Sequence, residues 1–510
     1  MCGIVAAFGA VDTDKCERML NRLQHRGPDD TGILSLESAW LGHQRLSIVD
    51  ISRGRQPLAS PDGTAWIIGN GEIYNHEDLS AKLPPGLLQT RSDTEAALHV
   101  VMRDGPASVA ELSGMFALAM VTDNGDGLVA RDPMGVKPLY WIEQAERTVF
   151  ASELRSFDPE DRPLVASFPP GCLWTPATGI VRYADSVPVG VRPARRAQHP
   201  AWDSGALEKV RDSIVLSVQR RMMSDVGVGV FLSGGLDSAI VAAIAAEHAR
   251  RRGDVLPTFA VGTKDSSDLL AARRVAEYVG SDHHEIVATA EDIGDELDNA
   301  VEVIEHYDPA LVRSAVPNLL LAREAAKKVK VVLTGEGADE LYGGYSYVHS
   351  PEFADPNALH AELVRSLEQL HHLNLQRCDR TTMYFGLEAR EPFLDTTVVR
   401  TALTLPPAWK KTTGGRPEKA LLREAFTDWL PEELLWRGKE QFGDGSGAGE
   451  VLASLAASNA ANAGDLDDAL TRPPDSWALR SDEEILYYRI WQRHFSGVRP
   501  SSTLGCFATA

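Results

Sequence analysis

A cysteine stands second in this chain, in Met1-Cys2-Gly3-Ile4-Val5. Once Met1 is removed, that one residue carries both a thiol and a free α-amine. A thiol titrates near ~8.5 and an α-amine near ~7.7–8, so the amine can take the thiol proton at neutral pH without a histidine. The other parts of a thioester-forming amidase stand further along. Asn70 and Gly71 offer a side-chain amide and a backbone N–H to an oxyanion, each worth ~10²–10³ in rate. Arg45 can grip a carboxylate in a bidentate pair. Asp93 can pair with a substrate α-ammonium.

A second set of residues points to phosphate chemistry. Phe231-Leu232-Ser233-Gly234-Gly235-Leu236-Asp237-Ser238 falls between a strand-like run and a helical pattern. Its small residues let a backbone approach a pyrophosphate, and hydroxyls with free N–H groups at a helix start can bind the oxygens. Asp237 suits Mg²⁺. A Walker A loop is excluded, since no Gly-Lys-Ser/Thr follows. Two further segments suit the same chemistry: Thr334-Gly335-Glu336-Gly337-Ala338-Asp339-Glu340, and Trp436-Arg437-Gly438-Lys439-Glu440-Gln441-Phe442.

These residues need elements to hold them. Residues 1–185 are short apolar runs broken by Gly, Asn and Asp, which predicts a mostly β domain with helices over 15–23 and 93–103. Residues 186–206 carry scattered prolines without periodicity and read as a linker. From 207 to 495, strands over 226–232, 258–261 and 330–333 alternate with helices over 207–221, 238–252 and 269–279. That alternation predicts a parallel α/β sheet. The part beyond about 355 reads as mostly helical, and residues 496–510 as a disordered tail.

Length and composition narrow the function classes. A chain of 510 residues exceeds one core. With 51 basic against 72 acidic residues the net charge is −21, which argues against a nucleic-acid or membrane-surface partner. The five cysteines are scattered, with no zinc spacing, which fits a reducing compartment. No apolar run is long enough to span a bilayer, and the N-terminus lacks a signal-peptide pattern. A cytoplasmic location is expected.

Taken together, Cys2-Gly3-Ile4, His25-Arg26-Gly27-Pro28-Asp29, the HQRLSIVD run at 43–50, the NGEIYN run at 70–75 and RDPMGVKPLY at 131–140 resemble the class II, N-terminal-nucleophile glutaminases. The resemblance implies an α+β, αββα sandwich that releases ammonia from glutamine. It implies Cys2, Asn70 and Gly71 as catalytic residues, and Arg45, Glu72 and Asp93 as glutamine-binding ones. Arg91 stands where relatives often carry glycine, beside Asp93, where it could tighten the pocket or admit a different amine donor. The Ser-Gly-Gly-Leu-Asp-Ser loop resembles that of ATP pyrophosphatases. With the segments at 334–340, 388–395 and 436–442, the second half resembles the synthetase domain of glutamine-dependent asparagine synthetases. That implies ATP contacts at Leu232, Ser233, Gly235, Asp237, Ser238, Val261 and Gly335, and Mg²⁺ on Asp237 and Asp339. It also implies Glu336 as base for incoming ammonia and Lys439 on developing phosphate charge. An apolar tunnel would join the sites. Assembly as a homodimer stays open.

The acceptor carboxylate is less well marked. Relatives carry Thr-Thr-x-Arg where this chain has Ala310, Leu311, Val312 and Arg313. Two hydroxyls exchanged for apolar groups would weaken a site for aspartate and favour a larger, more apolar acid. Aspartate and a specialised-metabolite carboxylate therefore both remain open as acceptors. The transferred amine, ammonia or a substituted one such as hydroxylamine, is also open. A sensor without turnover would show gaps in the constellation, and none occurs among Cys2, Arg45, Asn70, Asp93, Asp237, Glu336, Asp339 and Lys439.

Overall fold

Alternation along the first strand sets the N-terminal architecture. In Cys2–Gly9 of the computed structural model, Ile4, Ala6 and Phe8 face a second sheet, while Val5 and Ala7 face the helix Thr13–Asn21. Period-two side chains on a strand make both faces of the sheet apolar here, so each must be covered. The first sheet runs Ala166–Ser167, Tyr140–Glu143, Arg147–Ala151, Cys2–Gly9, Ala39–Arg45, Asp30–Ser35. The second runs Gly179–Arg182, Cys172–Thr175, Gly127–Arg131, Gly114–Thr122, Ala65–Ile73, Leu58–Ala59. Neighbouring strands are antiparallel in both. The helix Asp93–Asp104 covers the outer face of the second sheet, with Ala97, Leu98 and Val101 against Ile67 and Leu118. This is the expected αββα order. The structure describes residues 2–188, 190–191, 202–412, 416–438, 446–462 and 475–507.

The second domain is built on a five-stranded parallel sheet, ordered Asp282–Val287, Pro257–Gly262, Val228–Phe231, Val331–Leu333, Glu388–Arg390. Phe259 and Val261 pack on one face with the helices Leu297–Ile304, Pro309–Ala325 and Asp482–Phe495. Ala260 packs on the other with Ser204–Arg221, Leu236–Arg251 and Ser267–Val279. The loops after Val228–Phe231 and Val331–Leu333 leave the carboxyl ends of adjacent strands, where open α/β sheets bind ligands. Leu154 and Phe157 of the first domain share one apolar cluster with Val301, Ile304 and Trp491 of the second.

Two boundaries differ from expectation. The linker over 186–206 falls largely outside the described residues, and its end is already helix, because Asp203 Oδ1 caps Ser204–Arg221 by accepting from Gly205 N at 3.1 Å. The disorder expected from 496 does not hold over 496–507. Val498, Pro500, Thr503 and Leu504 are buried, and Ser501 N donates to Asp475 O at 2.8 Å. Ser502 Oγ donates to Val165 O of the first domain at 3.1 Å. Small polar residues give no periodicity to read, yet tertiary partners hold this segment. In the glycine-rich stretch at 443–449, residues 443–445 lie outside the described residues and Ala448 begins the helix Ala448–Asn462.

Candidate active sites

Strand pairing delivers the first site. Cys2 sits opposite Arg45 in the antiparallel ladder. Its backbone N donates to Asn70 Oδ1 at 3.0 Å, which turns the Asn70 amide nitrogen the other way. Asn70 Nδ2 is buried without a hydrogen-bond partner, a donor held ready for an incoming oxygen. Gly71 adopts φ 136°, and a Cβ there would lie 1.9 Å from the Met115 carbonyl, so only glycine fits. Arg45 is held by the Val49, Asp50 and Ile51 carbonyls, the closest at 2.8 Å. Asp93, at the start of its helix, accepts from Ile73 N at 2.7 Å. Burial pushes the Cys2 thiol up, and the Leu46 N–H and the Arg45 charge pull it partly back. Arg91 turns away from Asp93 and pairs with Asp225 of the second domain at 3.2 Å.

The second domain completes the surroundings of Cys2. Glu72 pairs with buried Arg390 at 3.2 Å. Arg390 also pairs with Glu388 at 2.5 Å and donates to the Arg221 carbonyl at 2.7 Å. Burial, with Glu388 and Asp93 nearby, pushes the Glu72 carboxyl well above its usual range. Arg26 donates Nε to the Cys2 carbonyl at 3.0 Å and pairs with Glu153 at 2.6 Å and Asp379 at 2.8 Å.

The second site is a cavity of about 530 Å³. Of the residues expected to touch ATP, Leu232, Ser233, Gly235, Asp237, Ser238 and Gly335 line it. Gly234 has φ 75°, and a Cβ there would meet Ala272 N at 2.5 Å, so the loop needs glycine for its close approach to the Ser267–Val279 helix. Ser238 Oγ donates to Gly235 O at 3.1 Å and meets Ser233 Oγ at the same distance. Asp237 and Asp339 converge on one cation, Lys419 Nζ, which lies 2.5 Å from an oxygen of each. Glu336 lines the cavity and forms an ion pair with Arg377. Glu340, bonded by Tyr345 Oη at 2.7 Å, is pushed up to about 7 by burial, with Asp339 adding to it.

Not every expected residue faces this cavity. Ala310, Arg313 and Ser314 do, as residues at i, i+3 and i+4 of the Pro309–Ala325 helix should. Leu311, about 100° round the same helix, is fully buried in the apolar core instead. Arg313 pairs with Glu483, with Nε to Oε1 at 3.0 Å. The Val261 side chain is also in the core, and Phe259 of the same strand lines the cavity. Lys439 lies outside the described residues. Lys419, which the sequence reading did not single out, is the cation between the two aspartates. It stands in no glycine-rich motif, only ahead of the helix Ala420–Ala425.

One helix separates the two sites. Asn374–Met383 is buried over most of its length. Arg377 reaches Glu336 in the cavity, and Asp379 reaches Arg26 behind Cys2. Residues two apart lie about 200° apart around a helix, on opposite sides. Lys137 Nζ adds a bond from the first domain to the Ala389 carbonyl at 3.3 Å.

Two facing antiparallel sheets with Cys2 on the first strand, joined to a parallel sheet with a Ser-Gly-Gly loop, match a two-domain glutamine amidotransferase. Family models match accordingly: a glutamine amidotransferase domain over residues 1–166, and asparagine synthase over 209–358 and 351–496. The chain is 38% identical over 474 residues to asparagine synthetase [glutamine-hydrolyzing] 2 of Oryza sativa subsp. japonica, covering 88% of this chain and 78% of that one. It is 38% identical to the enzyme of the same name from Arabidopsis thaliana, covering 88% and 79%. It is 37% identical over 525 residues to that of Asparagus officinalis, covering 97% and 86%. The chain belongs to the glutamine-hydrolysing asparagine synthetase family, a family of ligases. Among the described residues no helix is long and apolar enough to cross a membrane.

Proposed function

We propose that this chain hydrolyses glutamine at Cys2 and uses the ammonia to amidate a carboxylate activated by ATP, with aspartate as the default acceptor. One observation carries the reading: Arg26, which holds the Cys2 carbonyl, and Glu336 in the cavity pair with Asp379 and Arg377, two residues apart on opposite sides of one interdomain helix. In the first half, the Cys2 sulfur attacks the amide carbon after its proton passes to the free α-amine. Asn70 Nδ2 and the Gly71 N–H receive the oxyanion. The carbon–nitrogen bond then breaks, the leaving nitrogen takes that proton and departs as ammonia, and water cleaves the resulting thioester to release glutamate and restore the Cys2 thiol. Arg45 holds the substrate carboxylate, Asp93 its ammonium, and Glu72 completes the glutamine site.

In the second half, an acceptor carboxylate oxygen attacks the α-phosphorus of ATP and pyrophosphate leaves. Ammonia then attacks the acyl carbon, Glu336 takes a proton, and AMP departs. Ser233, Ser238 and the loop N–H groups hold the phosphates, and Lys439 steadies their developing charge. The oxygens of Asp237 and Asp339 already converge on a cation, and this all-oxygen donor pair fits Mg²⁺. When bound, that ion would neutralise phosphate charge. Ammonia in water becomes ammonium, which is not nucleophilic, so a shielded path is required. Leu46, Ile48, Val331 and Met383, packed together at the domain boundary, are apolar side chains that such a path would pass.

A second reading, a larger and more apolar acceptor, is favoured by Ala310 on the cavity wall and by the engagement of Arg313 with Glu483. The test is pyrophosphate release with ATP, Mg²⁺, glutamine and aspartate, with products identified by mass spectrometry. Asparagine formed at a rate comparable to glutamine hydrolysis supports aspartate. Glutamate formed without asparagine excludes aspartate as the acceptor.

A further inference from the structure

The segment Leu504-Gly505-Cys506-Phe507 returns to the mouth of the helix that carries Ala310 and Arg313. Asp308 caps that helix with Oδ1 on Ala310 N at 2.9 Å. Its other oxygen accepts from Phe507 N at 3.1 Å, so one buried carboxylate holds the amides of Ala310 and Phe507 together. Arg480 NH1 donates to Phe507 O at 2.8 Å, and the Arg480 NH2 lies 3.3 Å from Asp308 Oδ2. His306 Nε2 meets the Gly505 carbonyl at 3.1 Å. Phe507 is thus fixed at both its backbone groups, and Cys506 and Phe507 line the cavity with Ala310, Arg313 and Ser314. Asp308, Glu484 and Cys506 lie close enough to suggest a metal cluster, but Arg480 already pairs with both carboxylates.

We propose that Phe507 is a specificity-determining wall of the acceptor pocket, setting with Ala310 how long and how bulky a carboxylic acid fits. The inference rests on the reading of this cavity as an ATP-dependent carboxylate-activating site. A methyl group at Ala310 opens space, and the phenyl ring of Phe507 limits it. The part of the acceptor remote from its reacting carboxylate meets these two groups. A pocket wall of this kind discriminates chain length by about tenfold or more per methylene. A structural clamp alone would lower activity on all acceptors equally.

The experiment is ATP–pyrophosphate exchange across aspartate and a series of aliphatic acids of increasing length, on the full chain and its Phe507→Ala and Phe507→Trp variants. Glutamine hydrolysis at Cys2 reports folding. Phe507→Ala is expected to move the preferred acid to a longer one and to raise KM for the parent's preferred acid about tenfold, without moving KM for ATP. Phe507→Trp is expected to move the preference the other way, and it decides the question alone if the Ala variant does not fold. The same order of acids and the same KM values in the folded variants would overturn the assignment. If the unaltered chain gave no exchange with any acid, the reading of the cavity would fail instead.

Discussion

Arg26 and Asp379 lie 353 residues apart and form a two-pronged ion pair, NH1 to Oδ2 at 2.8 Å and NH2 to Oδ1 at 3.1 Å. Both are buried, and the same guanidinium holds the Cys2 carbonyl through Nε. A carboxylate of the second domain therefore orients the cation that seats the nucleophile of the first. Removing one member of a buried pair leaves an uncompensated charge, which costs about 3–5 kcal/mol. Asp379→Asn is expected to destabilise the chain at the low end of that range, since Glu153 still faces Arg26. It is also expected to lower kcat/KM for glutamine, although Asp379 belongs to the other domain. Denaturant unfolding and glutaminase assays on one preparation check both. Unchanged glutamine hydrolysis would contradict the orienting role.

Asn70→Ala removes a buried amide nitrogen that has no hydrogen-bond partner, on the side chain whose oxygen accepts from Cys2 N. The expected result is a fall in kcat for glutamine of ~10²–10³ with a smaller change in KM. Amide formed from added ammonia, measured alongside, should fall far less. A kcat within twofold of the parent would rule Asn70 out as the oxyanion donor.

Lys419→Met removes the buried ammonium that lies 2.5 Å from an oxygen of each of Asp237 and Asp339. ATP–pyrophosphate exchange is expected to fall about a hundredfold, with Lys419→Arg recovering part of it. Equal exchange in Lys419→Met and the parent would show that the lysine only fills space.

Glu391 gives a pH signature. It is buried, its Oε2 has no hydrogen-bond partner, and burial pushes its carboxyl up to about 7, with Lys137 and Arg221 pulling against it. The folded chain therefore holds a proton that the unfolded chain gives up near ~4.3. Its contribution to stability is present below that value and is lost as pH rises towards 7. Glu391→Gln is expected to stabilise by about 1 kcal/mol at pH 5 and by about 3–4 kcal/mol at pH 8. Thermal unfolding at the two pH values checks this. A gain of equal size at both would show that ionisation of Glu391 is not the cause.

What was legible in the sequence was local. Cys2, Asn70-Gly71 and the Ser-Gly-Gly-Leu-Asp-Ser loop each carry their chemistry within a few adjacent residues, and strand or turn geometry then places them. Lys419 was not legible, because its two partners are 182 and 80 residues away in sequence, and the turn it sits in carries no mark of a phosphate site. Leu311 could have been set aside on periodicity, since it cannot share a helix face with Ala310, but that helix was not among the expected elements. Val261 could not, because it shares its strand face with Phe259, which does line the cavity, and nothing in the sequence marks where along that face the core takes over. The ordering of residues 496–507 came from Val165, Asp475 and Asp308, none of them neighbours in the chain.

The helix Asn374–Met383 makes the glutaminase half a poor candidate for transplantation. Arg26 finds its counter-charge on that helix, and Glu72 finds its own on Arg390 nearby. A chimera that grafts residues 1–185 onto a foreign synthetase half leaves Arg26 with Glu153 alone and Glu72 without its guanidinium unless Asp379 and Arg390 travel with it. The heritable unit here is the seam, and the two halves must be exchanged, engineered or allowed to drift as one piece.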